Sequence, residues 1–382
     1  MTNIQRKNHD RNMLMATVPL IVCGTVLYST RVLLLCAIAM LTAKAVDVAV
    51  SMARREAFDS ADHSSELSAI IFCLMLPVNI PIYIVVVSVF MAVLVGKHFF
   101  GGKDVYPFNL AALAMCCAAV NWQDKVFVAV TPFSKVDFWS GYTTGATVTT
   151  AGIVKNGGVP AHDTLNLLLG NHPGSMGSDF VLVILAIGVY LLLTKKITWH
   201  IPVSFLATCT AIALAFPRIY GFPRLESLQL ELLNGIVLFT ALFMLNEPTT
   251  TPTNPKAKII YGIMAGVLGM AFRYFGGFEY GSCFAVLLVN TMDGVIERFA
   301  NGEIKKADKK AEKEVKKAVK AVEEKTEKKV YSAQPKAKKD TMGIISEAED
   351  NIDEVLYSTR TISIEEILKA EAEMNKNRKD GK

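Results

Sequence analysis

Long, uninterrupted apolar blocks constrain this chain more than any other feature. Phe180–Thr194, Ile201–Phe216 and Ile82–Gly96 contain no charged residue. The apolar residues of a soluble domain come in short periodic groups, whereas a run of roughly 18 such residues crosses a bilayer as a helix. Lipid offers a backbone amide no water, so helices are what segments of this length form. With 52% of its 382 residues hydrophobic, the chain reads as an all-α polytopic membrane protein. Residues 1–12 are polar and basic, and the apolar run behind them lacks a small-residue cleavage site. The first span is therefore expected to act as its own insertion signal.

Window length places about ten spans, near 13–29, 32–52, 66–77, 79–96, 108–130, 179–194, 201–216, 228–245, 257–273 and 280–297. Pro77 and Pro81 break the third from the fourth. With the basic N-terminus in the cytoplasm, the alternation sends basic pairs to the inside turns: Arg54 and Arg55, Lys97 and Lys103, Lys195 and Lys196, Lys256 and Lys258. Sparser charges, Arg31 and Lys125 among them, fall outside, which is the positive-inside pattern. Three regions follow. They are a cytoplasmic N-terminus (1–12), a transmembrane region (13–300) with one long outside loop at 131–178, and a charged cytoplasmic tail (301–382), partly disordered or helical. Long loops in compact proteins usually carry function.

The seven cysteines lie in or beside apolar runs without a CxxC pair, and the six histidines have no ligand spacing. Neither a disulfide framework nor a protein-built metal site is expected, and no nucleic-acid partner. Lys44 and Asp47 stand three apart within the second span, where charges are often functional; they can share a helix face and pair, either on an ion path or as a structural pair near the cytoplasmic end. The stretches 74–102 and 243–277 look alike: a proline-bearing break, an apolar span, an aromatic and Gly-Gly. An inverted repeat of broken helices around a ligand site would read this way, and so would chance likeness between apolar segments. In the tail, Lys-, Glu- and Ala-rich residues 301–340 read as a solvated linker or a segment lying against anionic lipid. Ser363 and Glu366 have capping-box spacing at the head of a helix over Ser363–Met374.

The outside loop holds Thr143-Thr144-Gly145-Ala146-Thr147-Val148-Thr149-Thr150. Gly145 and Ala146 leave Thr147 flanked by almost no side-chain bulk, and a threonine so placed suits either a flexible turn or the attachment of a large group. Gly170-Asn171-His172-Pro173-Gly174-Ser175-Met176-Gly177 leads into the sixth span, and its backbone amides suit an anion or an ordinary helix cap.

Taken in order, these blocks resemble a known family. Gly96-Lys97-His98-Phe99-Phe100-Gly101-Gly102 with Pro107-Phe108-Asn109, Thr144-Gly145-Ala146-Thr147, Gly170-Asn171…Gly174-Ser175-Met176-Gly177, Asn246-Glu247-Pro248-Thr249 and Arg273-Tyr274-Phe275-Gly276-Gly277 are similar to the D-type membrane subunit (RnfD) of the Rnf ferredoxin–NAD oxidoreductase complex. They are similar also to its relative, the B-type membrane subunit of the sodium-pumping NADH–quinone oxidoreductase (Nqr), and the likeness spans roughly residues 63–297. The resemblance implies a membrane subunit of a bacterial or archaeal cytoplasmic-membrane complex, relaying electrons through FMN joined by its phosphate to Thr147. It implies a flavin transferase acting outside, other Rnf-type subunits as partners, and room for a second, noncovalent flavin such as riboflavin. Thr144, Gly145, Ala146, Asn171 and Ser175 are then expected to line the flavin. Val148, Leu110 and the pair Ser178-Asp179 depart from the family pattern, and Thr149 and Thr150 are rival acceptors. A flavin-bearing subunit for extracellular electron transfer without pumping, or a solute transporter, fits the architecture too.

Overall fold

The computed structural model describes residues 3–302 apart from 103–105, 162, 220, 222, 234–235 and 277–278. The tail beyond Gly302, with the helix expected over Ser363–Met374, lies outside the described residues.

The apolar segments fold mainly as helices. The chain opens with α1 (Asn3–Leu27), α2 (Arg31–Arg54) and α3 (Ser64–Leu74). Next come α4 (Ile82–Met91), extended by a π turn (Ala92–His98), and α5 (Leu110–Asn121). The long loop holds α6 (Gln123–Val126), the strands β1 (Val128–Val130) and β2 (Ala146–Val148), α7 (Thr150–Lys155) and α8 (Thr164–Leu169). After it run α9 (Val181–Leu193), α10 (His200–Ala215), α11 (Arg224–Leu233), and α12 (Val237–Phe239) with a second π turn (Thr240–Met244). The membrane region ends with α13 (Pro255–Phe275), α14 (Gly281–Thr291) and α15 (Asp293–Ala300).

Helix length divides these elements. Among the described residues α1 (from Ile4), α2 and α13 are long and apolar enough to cross a membrane alone, and the bent pair of α11 and α12 with its π turn adds a fourth if taken as one span. α3, α5 and α14 have only 11, 12 and 11 residues. At 1.5 Å per residue each is about 17 Å long, roughly half the hydrocarbon thickness. The order short, long, short occurs as α12 with its π turn, α13 and α14, whereas α3, α4 with its π turn and α5 are all of the shorter kind.

The loops gather at two ends. α2 links them, since its 24 residues span about 36 Å. At its Arg54 end, Arg54 Nη2 donates to the His98 carbonyl and Lys7 pairs with Asp59 at 2.5 Å. At its Arg31 end, Asn79 Nδ2 donates to the Val128 carbonyl at 3.1 Å and Tyr28 to the His172 carbonyl at 3.1 Å. The loop 131–178 therefore sits at the end opposite the 54–62 turn.

Two expectations change here. The fifth span, expected to run to 130, stops at Asn121, where Trp122 leaves helical geometry (φ −137°, ψ 48°). The all-α expectation gains a two-stranded antiparallel ribbon, in which Val128, Ala129 and Val130 pair with Val148, Thr147 and Ala146. The β-branched residues Val128, Val130, Thr147 and Val148 suit a pleated ribbon better than a helix.

Candidate functional site

Thr147 stands at the centre of β2, opposite Ala129. All three β2 residues are exposed, and so are Thr144 and Gly145. Gly145 N donates to Thr143 Oγ1 at 3.2 Å, and a Cβ placed on Gly145 would meet nothing nearer than Ser134 Oγ at 3.7 Å. The Thr147 hydroxyl makes no hydrogen bond among the described residues. Thr144-Gly145-Ala146-Thr147 is therefore an open, low-relief strip with an exposed secondary hydroxyl at each end and Thr147 backed by β1.

The two rival threonines are placed differently. Thr149 is 2% exposed; its Oγ1 donates to Glu279 Oε2 and accepts from Gly152 N at 3.0 Å, capping α7. Thr150 is 1% exposed, and its amide and hydroxyl both donate to the Pro173 carbonyl, at 2.9 and 3.1 Å. Neither hydroxyl is free. Glu279, from the α13–α14 turn, is wedged against α7 where a Cβ at Gly152 would collide with its Oε1. Burial pushes the Glu279 carboxyl up to about 7, against the opposing pull of the Thr149 hydrogen bond and of Lys155.

Arg31 supports the same loop from below. It is fully buried, and its guanidinium donates to four carbonyls: Val78 at 2.9 Å, Ile80 at 2.7 Å, Phe138 at 2.5 Å and Asp137 at 3.3 Å. It ties the start of α2 to the Pro77–Pro81 break and to the 131–178 loop. Asp137 is fixed in turn by Ser140, whose hydroxyl and amide donate to it, and this holds its exposed carboxyl below the usual range.

The second expected segment turns inward. Ser175 is buried; its amide donates to Asp179 Oδ2 at 2.6 Å and its hydroxyl pairs with Ser178 Oγ at 2.6 Å. Met176 N donates to the Leu76 carbonyl at 2.9 Å, and Ser178 N to the Leu74 carbonyl at 3.0 Å. These amides cap the end of α3 and are not offered to an anion. Asn171 is exposed, with its amide on Asn166 Oδ1 at 3.2 Å. The structure brings Thr144, Gly145, Ala146 and Thr147 together, and does not bring Ser175 to that surface. Glu279 and Arg31 had no signal in the sequence, because each acts through partners far along the chain.

A second polar cluster occupies the opposite end. Lys97, on the first π turn, is 1% exposed; its Nζ lies 3.2 Å from Asp47 Oδ2, 3.1 Å from Asp62 Oδ2 and 2.7 Å from Ser65 Oγ. His98 Nε2 is 2.7 Å from Asp47 Oδ1. Burial disfavours the Asp62 anion, but Lys97 and Ser64 outweigh it and hold the carboxyl below its ordinary value. The expected Lys44–Asp47 pair does not form: Lys44 binds Glu66 at 2.7 Å while Asp47 serves Lys97 and His98. Spacing of three lets two charges meet, but the buried Lys97 ammonium needs Asp47 more than the half-exposed Lys44 does.

Fold and site together define a multi-pass membrane protein with an ordered polar loop at one end. The chain matches the model of the NQR2, RnfD, RnfE family over residues 2–305 and belongs to that family. Among its relatives is the D subunit of the proton-translocating ferredoxin:NAD(+) oxidoreductase complex of Clostridium ljungdahlii, 28% identical over 294 residues, covering 75% of this chain and 87% of the relative. The D subunit of the ion-translocating oxidoreductase complex of Ectopseudomonas mendocina is 30% identical over 302 residues (75% and 88%), and that of Salmonella paratyphi B 29% over 324 residues (76% and 92%).

Proposed function

We propose that this chain is the RnfD-type subunit of an ion-translocating electron-transport complex of the Rnf class and carries FMN on Thr147 through a phosphoester. The observation that carries the attachment is the contrast among neighbouring threonines: Thr147 is exposed and unengaged, while Thr149 and Thr150 are buried and hydrogen-bonded. A transferase needs an accessible hydroxyl and room beside it, and Gly145 and Ala146 supply that room. The flavin, when bound, supplies the electron-carrying chemistry, while the chain supplies position and electrostatics. Thr144, Gly145 and Ala146 would lie along the bound group, and Arg31 and Glu279 fix the loop that presents it.

On this reading the loop faces the outside of a bacterial or archaeal cytoplasmic membrane and the 54–62 turn faces the cytoplasm, as the basic pairs favour. The partners are the other subunits of the complex and a flavin transferase. The likeness of 74–102 and 243–277 is taken as an inverted repeat, with room for a second flavin such as riboflavin in the bundle. In-gel ultraviolet fluorescence of the chain made beside its transferase tests the attachment. Thr147→Ala is expected to abolish the signal. A wild-type band without fluorescence, or an undimmed variant, would sink the claim.

A further inference from the structure

α10 and α13 run parallel. A Cβ at Gly262 would meet the Ile201 carbonyl and one at Gly266 that of Phe205, so position advances together along the two helices and their starts lie side by side. That end is opposite the 131–178 loop, because the far end of α13 leads to Glu279 and its bond to Thr149. Neither first turn holds an acidic residue, and Trp199 offers α10 no side-chain cap. Each start therefore presents about half a positive charge, unanswered by its own first turn.

Four lysines stand in the same place. Lys195 and Lys196 follow the end of α9 and suit its negative pole. Lys256 and Lys258 lie in the first turn of α13, where a cation is unfavourable. Lys258 Nζ donates to Thr198 Oγ1 at 3.3 Å, which joins the 195–199 turn to α13. Glu297 is the carboxylate that bears on Lys258, and it is already engaged by Thr253 N and Oγ1, at 3.0 and 2.8 Å, and by Asn254 N at 3.1 Å. Lys195, Lys196 and Lys256 are exposed. The patch calls for an anion.

Two apolar features set its level in the bilayer. Trp199 is 56% exposed and stacks on His200, with ring centroids 4.2 Å apart. Met292, Val295 and Phe299 are exposed along one face of α15, which Glu297 ties to the start of α13. An exposed indole and an apolar stripe beside a membrane span mark the boundary between headgroups and acyl chains. We propose that the four lysines and Trp199 form a binding site for an anionic phospholipid, with the phosphate diester among the lysines and an acyl chain along α13. Ile259, Ile263 and Val267, spaced by four and exposed, give that chain its track. A zwitterionic headgroup would bring a further cation among the lysines, so net charge selects the anionic lipid. On the proposed topology this is the cytoplasmic leaflet.

Quenching of tryptophan fluorescence by brominated lipid tests the site, in the full chain reconstituted into phosphatidylcholine vesicles. Dibrominated phosphatidylglycerol is expected to quench at lower mole fraction than dibrominated phosphatidylcholine, and Trp199→Phe should remove the selective part. Lys256→Gln with Lys258→Gln should weaken the preference by about 25-fold, about fivefold for each lysine near a charged surface. Lys256→Arg with Lys258→Arg should keep it, and so should Lys125→Gln at the opposite end. Equal quenching by the two lipids in the wild-type chain overturns the proposal, as does a preference that survives the glutamine pair in a chain of unchanged melting temperature. Relief of quenching by soluble glycerol 1-phosphate would assign the patch to a free phosphate and overturn the lipid. The site does not involve Thr147, so its failure and that of the flavin assignment are separate results.

Discussion

Glu279 carries more of the loop's behaviour than its place in a short turn suggests. Its carboxyl meets Thr149 across 130 positions of sequence, closing the base of the segment that bears Thr147. Burial lifts it from 4.5 to about 7, so folding favours the protonated form. The sign follows by linkage: its stabilising contribution is full below about pH 4.5 and is lost as pH rises through about 7. Backbone amide exchange over 149–155, corrected for its intrinsic pH dependence, should therefore show protection falling between about pH 5 and pH 8. Glu279→Gln should flatten that dependence; a slope that survives the substitution would remove Glu279 as its cause. Legibility at this scale is uneven. The family resemblance singles out Thr147 within a short motif of small neighbours. Thr149 and Thr150 cannot be told from it by residue type alone, because what buries them is Glu279 and Pro173, contributed by other parts of the chain. Lys44 and Asp47 mislead for the same reason, since spacing reveals which charges can meet and not which partner holds each more strongly.

At the scale of elements, apolar runs locate the helices well and their lengths poorly. The blocks 66–77, 108–130 and 280–297 look alike in hydropathy to full spans, yet α3, α5 and α14 are about half-length; in α5, Asn109 caps the start and Trp122 leaves helical geometry at the end. Arg31 is a similar case: counted as an outer charge, it is a buried strut, because carbonyls left open by the Pro77–Pro81 break need a donor with its fan of N–H groups. Packing between α10 and α13 runs through Gly262 and Gly266, four apart. A Cβ at Gly262 would stand 2.9 Å from the Ile201 carbonyl, and one at Gly266 3.1 Å from that of Phe205 and 2.7 Å from Thr208 Cβ. These are backbone approaches of the small-xxx-small kind, which a larger side chain cannot share. Gly266→Leu should force the helices apart and cost about 2 kcal/mol or more. Thermal unfolding in detergent measures it, and a variant that melts with the wild type would show that the contact contributes little.

For the whole molecule the informative quantity is which loops share an end. Charge asymmetry puts the 54–62 turn and the 131–178 loop on opposite faces, and the hydrogen bonds group them the same way, Arg54 with His98 at one end of α2 and Arg31 with Phe138 at the other. α2 separates the two by about 36 Å, more than the roughly 30 Å of a hydrocarbon core. On the proposed topology, neither face can then be reached from the other without crossing the bilayer. Lys135, in the loop, and Ser60, in the turn, are both exposed, so a cysteine at either position would be open to an impermeant maleimide from its own side only. The native cysteines are buried or half-buried in helices and give a low background. In intact cells Lys135→Cys should label at once, and Ser60→Cys only after the membrane is permeabilised. The reverse pattern would turn the molecule over and leave Thr147 on the face where no exported transferase could reach it. Labelling of both from one side would put the turn and the loop on the same face, and would break the two-ended arrangement on which the loop and the lysine patch at the start of α13 are assigned to opposite leaflets.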